Sequence, residues 1–264
     1  MKIQEVYFFI VALLGLCFGS FSTVLVLRIP NGESIVYPNS RCSICKSQIQ
    51  WRFLIPVFSY FFLRGKSACC RSKISWKYPA IEFSTSILFI LSLAVTGIQL
   101  NLLNLLAFSA LSIPLTVIDL KVKRLPNSLT FTGISLASVF TIFAFIENHN
   151  FSILISFILN TLIPGFVFLI LNLASKGGMG MGDVKLAAMI GALLSIFGGK
   201  TIFVSFVFAF ILGALASLVL IFMKIASRKT LIPFGPYMIL GAWISILIGH
   251  DKVELIANLW LISS

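Results

Sequence analysis

Eight long apolar stretches, separated by short polar connections, constrain the fold of this 264-residue chain most strongly. A transmembrane helix needs about 20 mainly apolar residues, and backbone in lipid must satisfy its own hydrogen bonds, which favours helices over open strands. The predicted spans are Tyr7–Leu27, Pro79–Thr96, Leu102–Ile118, Ser128–Ile146, Phe151–Ala174, Val184–Phe197, Ile202–Met223 and Leu231–Ile248. The sequence therefore predicts an all-α polytopic membrane protein with about eight transmembrane helices. The sixth stretch is short, and a tilted, half-buried or protein-shielded helix would account for its length.

Composition agrees with a membrane location. Apolar residues make up 59% of the chain, charged residues only 11%, and the mean hydropathy is +1.06. A soluble domain carries about 25% charged residues and has too little interior to hide so much apolar surface. These values exclude a soluble globular enzyme, a disordered chain and a disulfide-stapled secreted module.

The net charge of +12 indicates membrane orientation rather than nucleic-acid binding, because the Lys and Arg residues fall in short loops between apolar spans. With the N-terminus outside, only Lys2, Lys200 and Lys252 remain on the outer side. We therefore expect both chain ends to face outward and the polar loops to face the cytoplasm. Three segments follow: residues 1–27 as the first transmembrane helix, residues 28–78 as a cytoplasmic Cys-containing loop domain, and residues 79–264 as a larger transmembrane domain.

Two aspartates are placed at the predicted cytoplasmic edge of the membrane, where acidic residues are costly and usually functional or paired. Asp119 ends the third span, and Asp183 begins the sixth after Gly180 and Gly182. The glycines allow an extended peptide to approach the backbone closely. Two carboxylates around one water share a proton, so that one acts as a base while the other donates. The pattern suggests an acid–base pair.

Residue chemistry alone also allows structural roles for the same residues. Gly178 and Gly182 form a GxxxG pattern, which is common in close helix packing. Asp183 is also placed to cap the sixth helix and to interact with its dipole. Asp119 could pair with Lys121 or Arg124 at the interface. An ion or proton pathway through the two aspartates is the remaining alternative.

At these residues the sequence resembles the type IV prepilin peptidase family, which consists of intramembrane aspartic proteases with a GxGD motif. The matching segments are Gly19-Ser20-Phe21-Ser22-Thr23-Val24, Arg28-Ile29-Pro30, Ile55-Pro56-Val57, Leu63-Arg64-Gly65, Glu82, Ile118-Asp119 with Leu125-Pro126, Gly180-Met181-Gly182-Asp183 with Val184-Lys185-Leu186, and Ile232-Pro233-Phe234-Gly235-Pro236. The likeness extends over roughly residues 15–240, and the order and spacing of the segments are far more specific than GxGD alone.

The resemblance implies an enzyme of the bacterial inner membrane that removes the basic leader of type IV prepilins or pseudopilins on the cytoplasmic side. The cut follows a Gly that precedes an aromatic residue, and S-adenosylmethionine-dependent methylation of the new N-terminus often follows. Asp119 and Asp183 would be the catalytic pair, with Gly180, Gly182 and Lys185 beside the substrate. An ion or proton transporter and an inactive assembly factor are the alternatives from other classes.

The substrate's basic leader and this basic chain repel each other. We therefore expect membrane lipids with anionic headgroups to hold the leader, while the apolar helix of the substrate docks laterally between spans.

The cysteines suggest a metal site in the predicted loop domain. Cys42-Ser43-Ile44-Cys45 has the spacing of half a structural zinc site, and disulfides are rare in the cytoplasm. Many members of the resembled family carry a second C-x-x-C, but here that stretch reads Ser67-Ala68-Cys69-Cys70. Either Cys69 replaces the missing ligand beside Cys70, or another group fills the fourth position, or the thiols stay reduced and metal-free. The departure bears on methylation more than on proteolysis, because the family's loop is associated with methyltransfer.

Overall fold

In a computed structural model, the described residues are 3–42, 44–175, 179–225, 230, 232–249, 252–253 and 256, and this part of the chain is all-α. The helices are α1 (Ile3–Arg28), α2 (Phe58–Phe62), α3 (Lys77–Thr96), α4 (Asn101–Val122), α5 (Asn127–Asn148), α6 (Phe151–Ala174), α7 (Met181–Leu193), α8 (Gly199–Phe222) and α9 (Gly235–Ile248). Short 3₁₀ turns occupy Ile29–Asn31, Trp51–Phe53 and Ser195–Phe197. The predicted all-α class is confirmed.

Each predicted span corresponds to a helix, but not all of these helices are long. Six helices in the described ranges, α1, α3, α4, α5, α6 and α8, are long and apolar enough to cross a membrane. The sixth predicted span is the 13-residue α7 followed by a 3₁₀ turn, and the eighth is the 14-residue α9. Most side chains of α7 from Val184 onward are buried, so its apolar character reflects a protein-covered helix rather than contact with lipid.

One compact unit comprises Met1–Ile98 together with Ser109–Pro114 of α4. Glycines allow α1 and α3 to pack closely: a Cβ at Gly15 would lie 2.6 Å from the Ser86 Cα, and one at Gly19 would lie 2.5 Å from the Glu82 Cα. The Ser86 hydroxyl also donates to the Ala12 carbonyl at 2.9 Å. The segment between these helices carries the four loop cysteines.

The second compact unit comprises Gln99–Phe108 and Leu115–Ser264. Its α7 packs against α5 and α6, and α8 packs against α9. Two further glycines permit this packing, since a side chain at Gly191 would collide with the Asn160 carbonyl of α6 and one at Gly241 with the Ser205 carbonyl of α8. Both predicted catalytic aspartates belong to this unit. The predicted boundaries at residues 27 and 78 stay predictions.

Candidate active site

Asp119 lies in the last turn of α4, and its side chain is only 4% exposed. The Gly235 amide, at the first residue of α9, donates a 3.0 Å hydrogen bond to Asp119 Oδ2. A helix N-terminus stabilises an anion through its free amides and dipole. A Cβ at position 235 would lie 2.8 Å from the same oxygen. Any larger residue at this position would therefore have to displace the Asp119 carboxylate or shift the start of α9.

Asp183 lies in the first turn of α7 and is half-buried. Its Oδ2 accepts a 3.2 Å hydrogen bond from the Gly180 amide, and the Asp183 amide donates back to the Gly180 carbonyl at 3.0 Å. Asp183 thus caps α7 from the third helical position, and Gly180 is the N-cap residue. Capping and catalysis are compatible, because a carboxylate fixed by one oxygen retains acceptor capacity.

Leu125 lies against the N-terminal ends of both α7 and α9. A Cβ at Gly182 would lie 3.0 Å from the Leu125 Cβ, and one at Gly235 would lie 3.4 Å from Leu125 Cδ2. The carboxylates of Asp119 and Asp183 are close enough for their charges to interact. Two acids that are 64 positions apart in the chain are therefore neighbours in one unit. A pair of this kind can exchange a proton around one water.

Lys185 links α7 to α5. Its Nζ donates to Asn127 Oδ1 at 2.8 Å and lies 5.8 Å from the ring centroid of Phe131. Both partners follow the basic turn that connects α4 to α5. Lys185 is predicted to lie beside the substrate, and in the structure its contact with Asn127 fixes the start of the helix that carries Asp183.

The structure bears on two alternative roles of these residues, an ion pair of Asp119 with a nearby cation and GxxxG packing beside Asp183. The hydrogen-bond partner of Asp119 is the Gly235 amide, whereas Lys121 and Arg124 are exposed. The GxxxG alternative involves Gly178, which lies outside the described residues. The close contact of Gly182 is with Leu125, in the connection between α4 and α5.

The loop cysteines lie on two similar eight-residue turns, residues 41–48 and 66–73, each closed by an isolated antiparallel bridge between its ends. In the first turn, the Cys42 amide donates to the Ser47 carbonyl and the Lys46 amide to the Cys42 carbonyl. In the second, the Ser67 amide donates to the Ser72 carbonyl and the Arg71 amide to the Ser67 carbonyl. Ser67 therefore occupies the position that corresponds to Cys42, and Cys70 corresponds to Cys45.

The two turns bring four sulfurs together. The Sγ atoms of Cys42, Cys45, Cys69 and Cys70 all lie within 4.8 Å of one another. The Cys42–Cys70 distance is 3.7 Å and the Cys45–Cys69 distance is 3.2 Å. Ser67 Oγ lies 3.2 Å from Cys70 Sγ. Hydrogen bonds from Ser67, above all, and from Ser72 lower the pKa of the Cys70 thiol to about 5.

Comparison with known proteins gives the family. A model described as the bacterial peptidase A24 N-terminal domain matches residues 13–96, and one described as the type IV leader peptidase family matches residues 105–218. A relative from Bacillus subtilis is 30% identical over 246 residues, which cover 93% of this chain and 96% of the relative. One from Neisseria gonorrhoeae is 33% identical, covering 95% and 93%, and one from Pseudomonas aeruginosa is 31% identical, covering 90% and 89%. Each is named prepilin leader peptidase/N-methyltransferase.

This chain belongs to the type IV leader peptidase family. The resemblance drawn from the sequence motifs is confirmed, and the chain is an enzyme of a bacterial multi-pass membrane family. Its second family match includes both Asp119 and Asp183. No solved structure matches this chain.

Two contacts of this leader peptidase family member were not foreseen from the sequence. Gly235 belongs to a motif that carried the resemblance, but its amide contact with Asp119 joins residues 116 positions apart. Glu82 of α3 also belongs to such a motif, and its Oε2 accepts a 2.7 Å hydrogen bond from the Val57 amide in the loop segment. Long-range backbone contacts of this kind leave no periodic signal in a sequence.

Proposed function

We propose that this protein cleaves the basic leader of a type IV prepilin or pseudopilin after a Gly that precedes an aromatic residue. Asp119 and Asp183 form the catalytic pair, and the site faces the cytoplasm from the bacterial inner membrane. The packing of Leu125 against Gly182, which precedes Asp183, and against Gly235, whose amide holds Asp119, supports this proposal most directly. The names of the relatives point to the same activity.

The proposed reaction is general acid–base hydrolysis of a peptide bond. One aspartate, as carboxylate, takes a proton from a water molecule whose oxygen attacks the scissile carbonyl carbon. The C–N bond then breaks, and the departing nitrogen takes a proton from the other, protonated aspartate. Because the two acids titrate as a unit, the roles of base and acid belong to the pair.

The surrounding residues support this chemistry by holding the carboxylates. The Gly235 and Gly180 amides each bind one carboxylate oxygen, which leaves the second oxygen of each group for water or substrate. Gly180 and Gly182 have no side chains to block an extended peptide beside α7. The contact of Lys185 with Asn127 keeps this helix end in place.

Methylation of the new N-terminus is the proposed second step, and S-adenosylmethionine supplies the methyl group. The proposal follows the names of the relatives. A cavity in the Met1–Ile98 unit has arginines and no acidic residue among its lining residues, which does not suit a cationic sulfonium. We therefore assign none of these lining residues to the methyl donor.

The test is incubation of the purified protein with a synthetic prepilin carrying a basic leader and a Gly-Phe junction, with and without S-adenosylmethionine, followed by mass spectrometry. We expect cleavage after the Gly in both samples and addition of one methyl group only when the donor is present. The matched control is a peptide in which the junction Gly is replaced by Ile, because a branched side chain crowds the cut site. An intact Gly-Phe substrate would contradict the proposed peptidase and favour the transporter.

We also infer that the cysteine cluster holds a structural zinc ion. Zn–S bonds of about 2.3 Å in a tetrahedron place sulfurs about 3.8 Å apart. The Cys42–Cys70 distance is 3.7 Å, the Cys45–Cys69 distance is shorter at 3.2 Å, and all four sulfurs lie within 4.8 Å of one another. Cys69 brings the fourth sulfur, while Ser67 occupies the position of the expected cysteine. The proposed ligands are thus Cys42, Cys45, Cys69 and Cys70.

Metal analysis of the purified protein tests the ligand set. We expect one zinc per chain, a clear loss of zinc in Cys69→Ser and retention in Ser67→Ala. Cys17→Ser is the control, since Cys17 lies within α1 and is not one of the four clustered cysteines. Chelation or Cys42→Ser should make the loop segment more sensitive to added protease. Either change should lower methylation of the prepilin more than it lowers removal of the leader. Full zinc content in Cys69→Ser would refute Cys69 as a ligand.

A further inference from the structure

The C-terminal end of α1 and the loop that follows it form a cavity of about 790 Å³. Phe21, Val24 and Arg28 line it from α1, and residues between 35 and 54 complete the wall. Phe21 and Val24 belong to the part of α1 that is apolar enough to cross a membrane. The cavity therefore lies at the C-terminal end of a helix that is long and apolar enough to cross a membrane.

The cavity has a cationic part. Arg28 donates from Nη1 to the Ser34 carbonyl at 2.8 Å and from Nη2 to the Pro38 carbonyl at 2.6 Å, so its charge is held at the wall. Arg52 is exposed, and its Nε donates to Gln50 Oε1 at 2.8 Å. None of the residues that line the cavity is acidic. The charge of this wall therefore favours a ligand that carries negative charge.

The same cavity has an apolar part that continues along α1. Trp51 and Val36 line the wall and are each 82% exposed. Phe21 is 45% exposed, and Phe18 and Leu14, one and two turns earlier on the same helix face, are 46% and 45% exposed. An apolar track thus leads from the membrane-spanning part of α1 to the two arginines.

We propose that this cavity binds one anionic phospholipid, with its phosphate between Arg28 and Arg52 and its acyl chains along the track of Leu14, Phe18 and Phe21. A basic pocket beside a transmembrane helix is suited to an anionic headgroup, and the exposed aromatic wall is suited to the interface between headgroups and chains. A basic peptide is excluded by charge. The site does not depend on the aspartate chemistry and would stand if the proposed peptidase activity failed.

Tryptophan quenching tests the site. The full chain is placed in phosphatidylcholine nanodiscs that contain a small, increasing fraction of phosphatidylglycerol with brominated acyl chains. We expect the tryptophan fluorescence to be quenched to a saturating level. The quenching that is lost in Trp51→Phe is the part that comes from Trp51. Brominated phosphatidylcholine at the same fractions should quench this part far less, and soluble glycerol phosphate should not displace the lipid at equal concentration.

Arg52→Gln should need about fivefold more phosphatidylglycerol for half-maximal quenching, the loss expected for one basic residue near a lipid surface. Arg64→Gln is the matched control, because Arg64 is an exposed arginine of the same loop that does not line the cavity. Arg52→Gln should keep the thermal unfolding midpoint of the unmodified protein. Equal quenching by both lipids, equal effects of the two arginine variants, or displacement by S-adenosylmethionine would each overturn the proposal.

Discussion

Gly235 lets the backbone of α9 approach the Asp119 carboxylate closely, because glycine has no side chain. The residue begins α9 and donates its amide to Asp119, and a Cβ there would lie 2.8 Å from the carboxylate oxygen. Asp183 is held in a similar way by the Gly180 amide. Each acid is therefore oriented by backbone, which is less mobile than a side chain.

Gly235→Ala tests this orientation. The added Cβ would have to displace Asp119 Oδ2 or shift the start of α9, and a misplacement of about 1 Å can lower a catalytic rate by about 100-fold. We expect a lower kcat with a smaller change in KM, measured on the synthetic prepilin.

Leu240→Ala is the control for Gly235→Ala, because Leu240 lies exposed on the same helix. It should retain activity close to that of the unmodified protein. Full activity in Gly235→Ala would show that the amide contact does not orient the catalytic pair.

Much of the candidate site could be predicted from the sequence at this scale. Aspartates are scarce, and the GxGD segment singled out Asp183, while the position of Asp119 at a span end singled out the other acid. Their contact with Gly235 and Leu125 could not be predicted, because it depends on how separate helices pack. The same is true of Cys69, whose sulfur position follows from the paired turns.

At the scale of helices, close packing depends on small residues on facing surfaces. Gly15 and Gly19 of α1 lie against Ser86 and Glu82 of α3, and the nearest atoms at both sites are backbone atoms that cannot rotate away. Dispersion contacts and interhelical hydrogen bonds, rather than a hydrophobic driving force, hold helices together in lipid. Loss of the close packing between α1 and α3 should therefore lower the stability of the fold.

Gly19→Ala should destabilise the Met1–Ile98 unit by about 1–3 kcal/mol, the usual cost of overpacking. The measurement is the midpoint of thermal unfolding in detergent, followed by exposure of the loop segment to protease. Leu14→Ala, at an exposed position of α1, should change the midpoint much less. An unchanged midpoint in Gly19→Ala would contradict the close approach of α1 and α3.

Hydropathy predicted the helices better than it predicted their environment. The predicted Phe151–Ala174 has the same bounds as α6, because apolar residues fill that helix from end to end. The sixth predicted span was instead the 13-residue α7, most of which is buried in protein. An apolar stretch has the same hydropathy whether lipid or other helices cover it. Helix length is therefore a better indicator of a membrane-spanning helix than hydropathy.

For the whole molecule, the charge distribution predicts one orientation in the membrane. The turn after α4 carries Lys121, Lys123 and Arg124, whereas the turn after α5 carries His149 and neither Lys nor Arg. Lys and Arg prefer cytoplasmic loops. The turn after α4 should therefore face the cytoplasm and the turn after α5 the outside.

Reporter fusions in cells test that orientation. Alkaline phosphatase fused after Arg124 should be inactive, because the enzyme folds only outside the cytoplasm, and the same reporter fused after His149 should be active. Immunoblots normalise the signals to the amount of fusion protein. The reverse pattern would place both aspartates on the outer face and remove the proposed access to a cytoplasmic leader.

We propose that Asp119 and Asp183 act as one acid–base unit. Single-turnover cleavage of the synthetic prepilin by Asp119→Asn, Asp183→Asn and the double variant tests this claim. Glu147→Gln, an exposed acid at the end of α5, is the control. We expect each single variant to lose about 10³-fold or more in rate and the double variant to lose no more than either, since groups that act together are not additive. Near-normal cleavage by either single variant, or losses that multiply in the double variant, would contradict the claim.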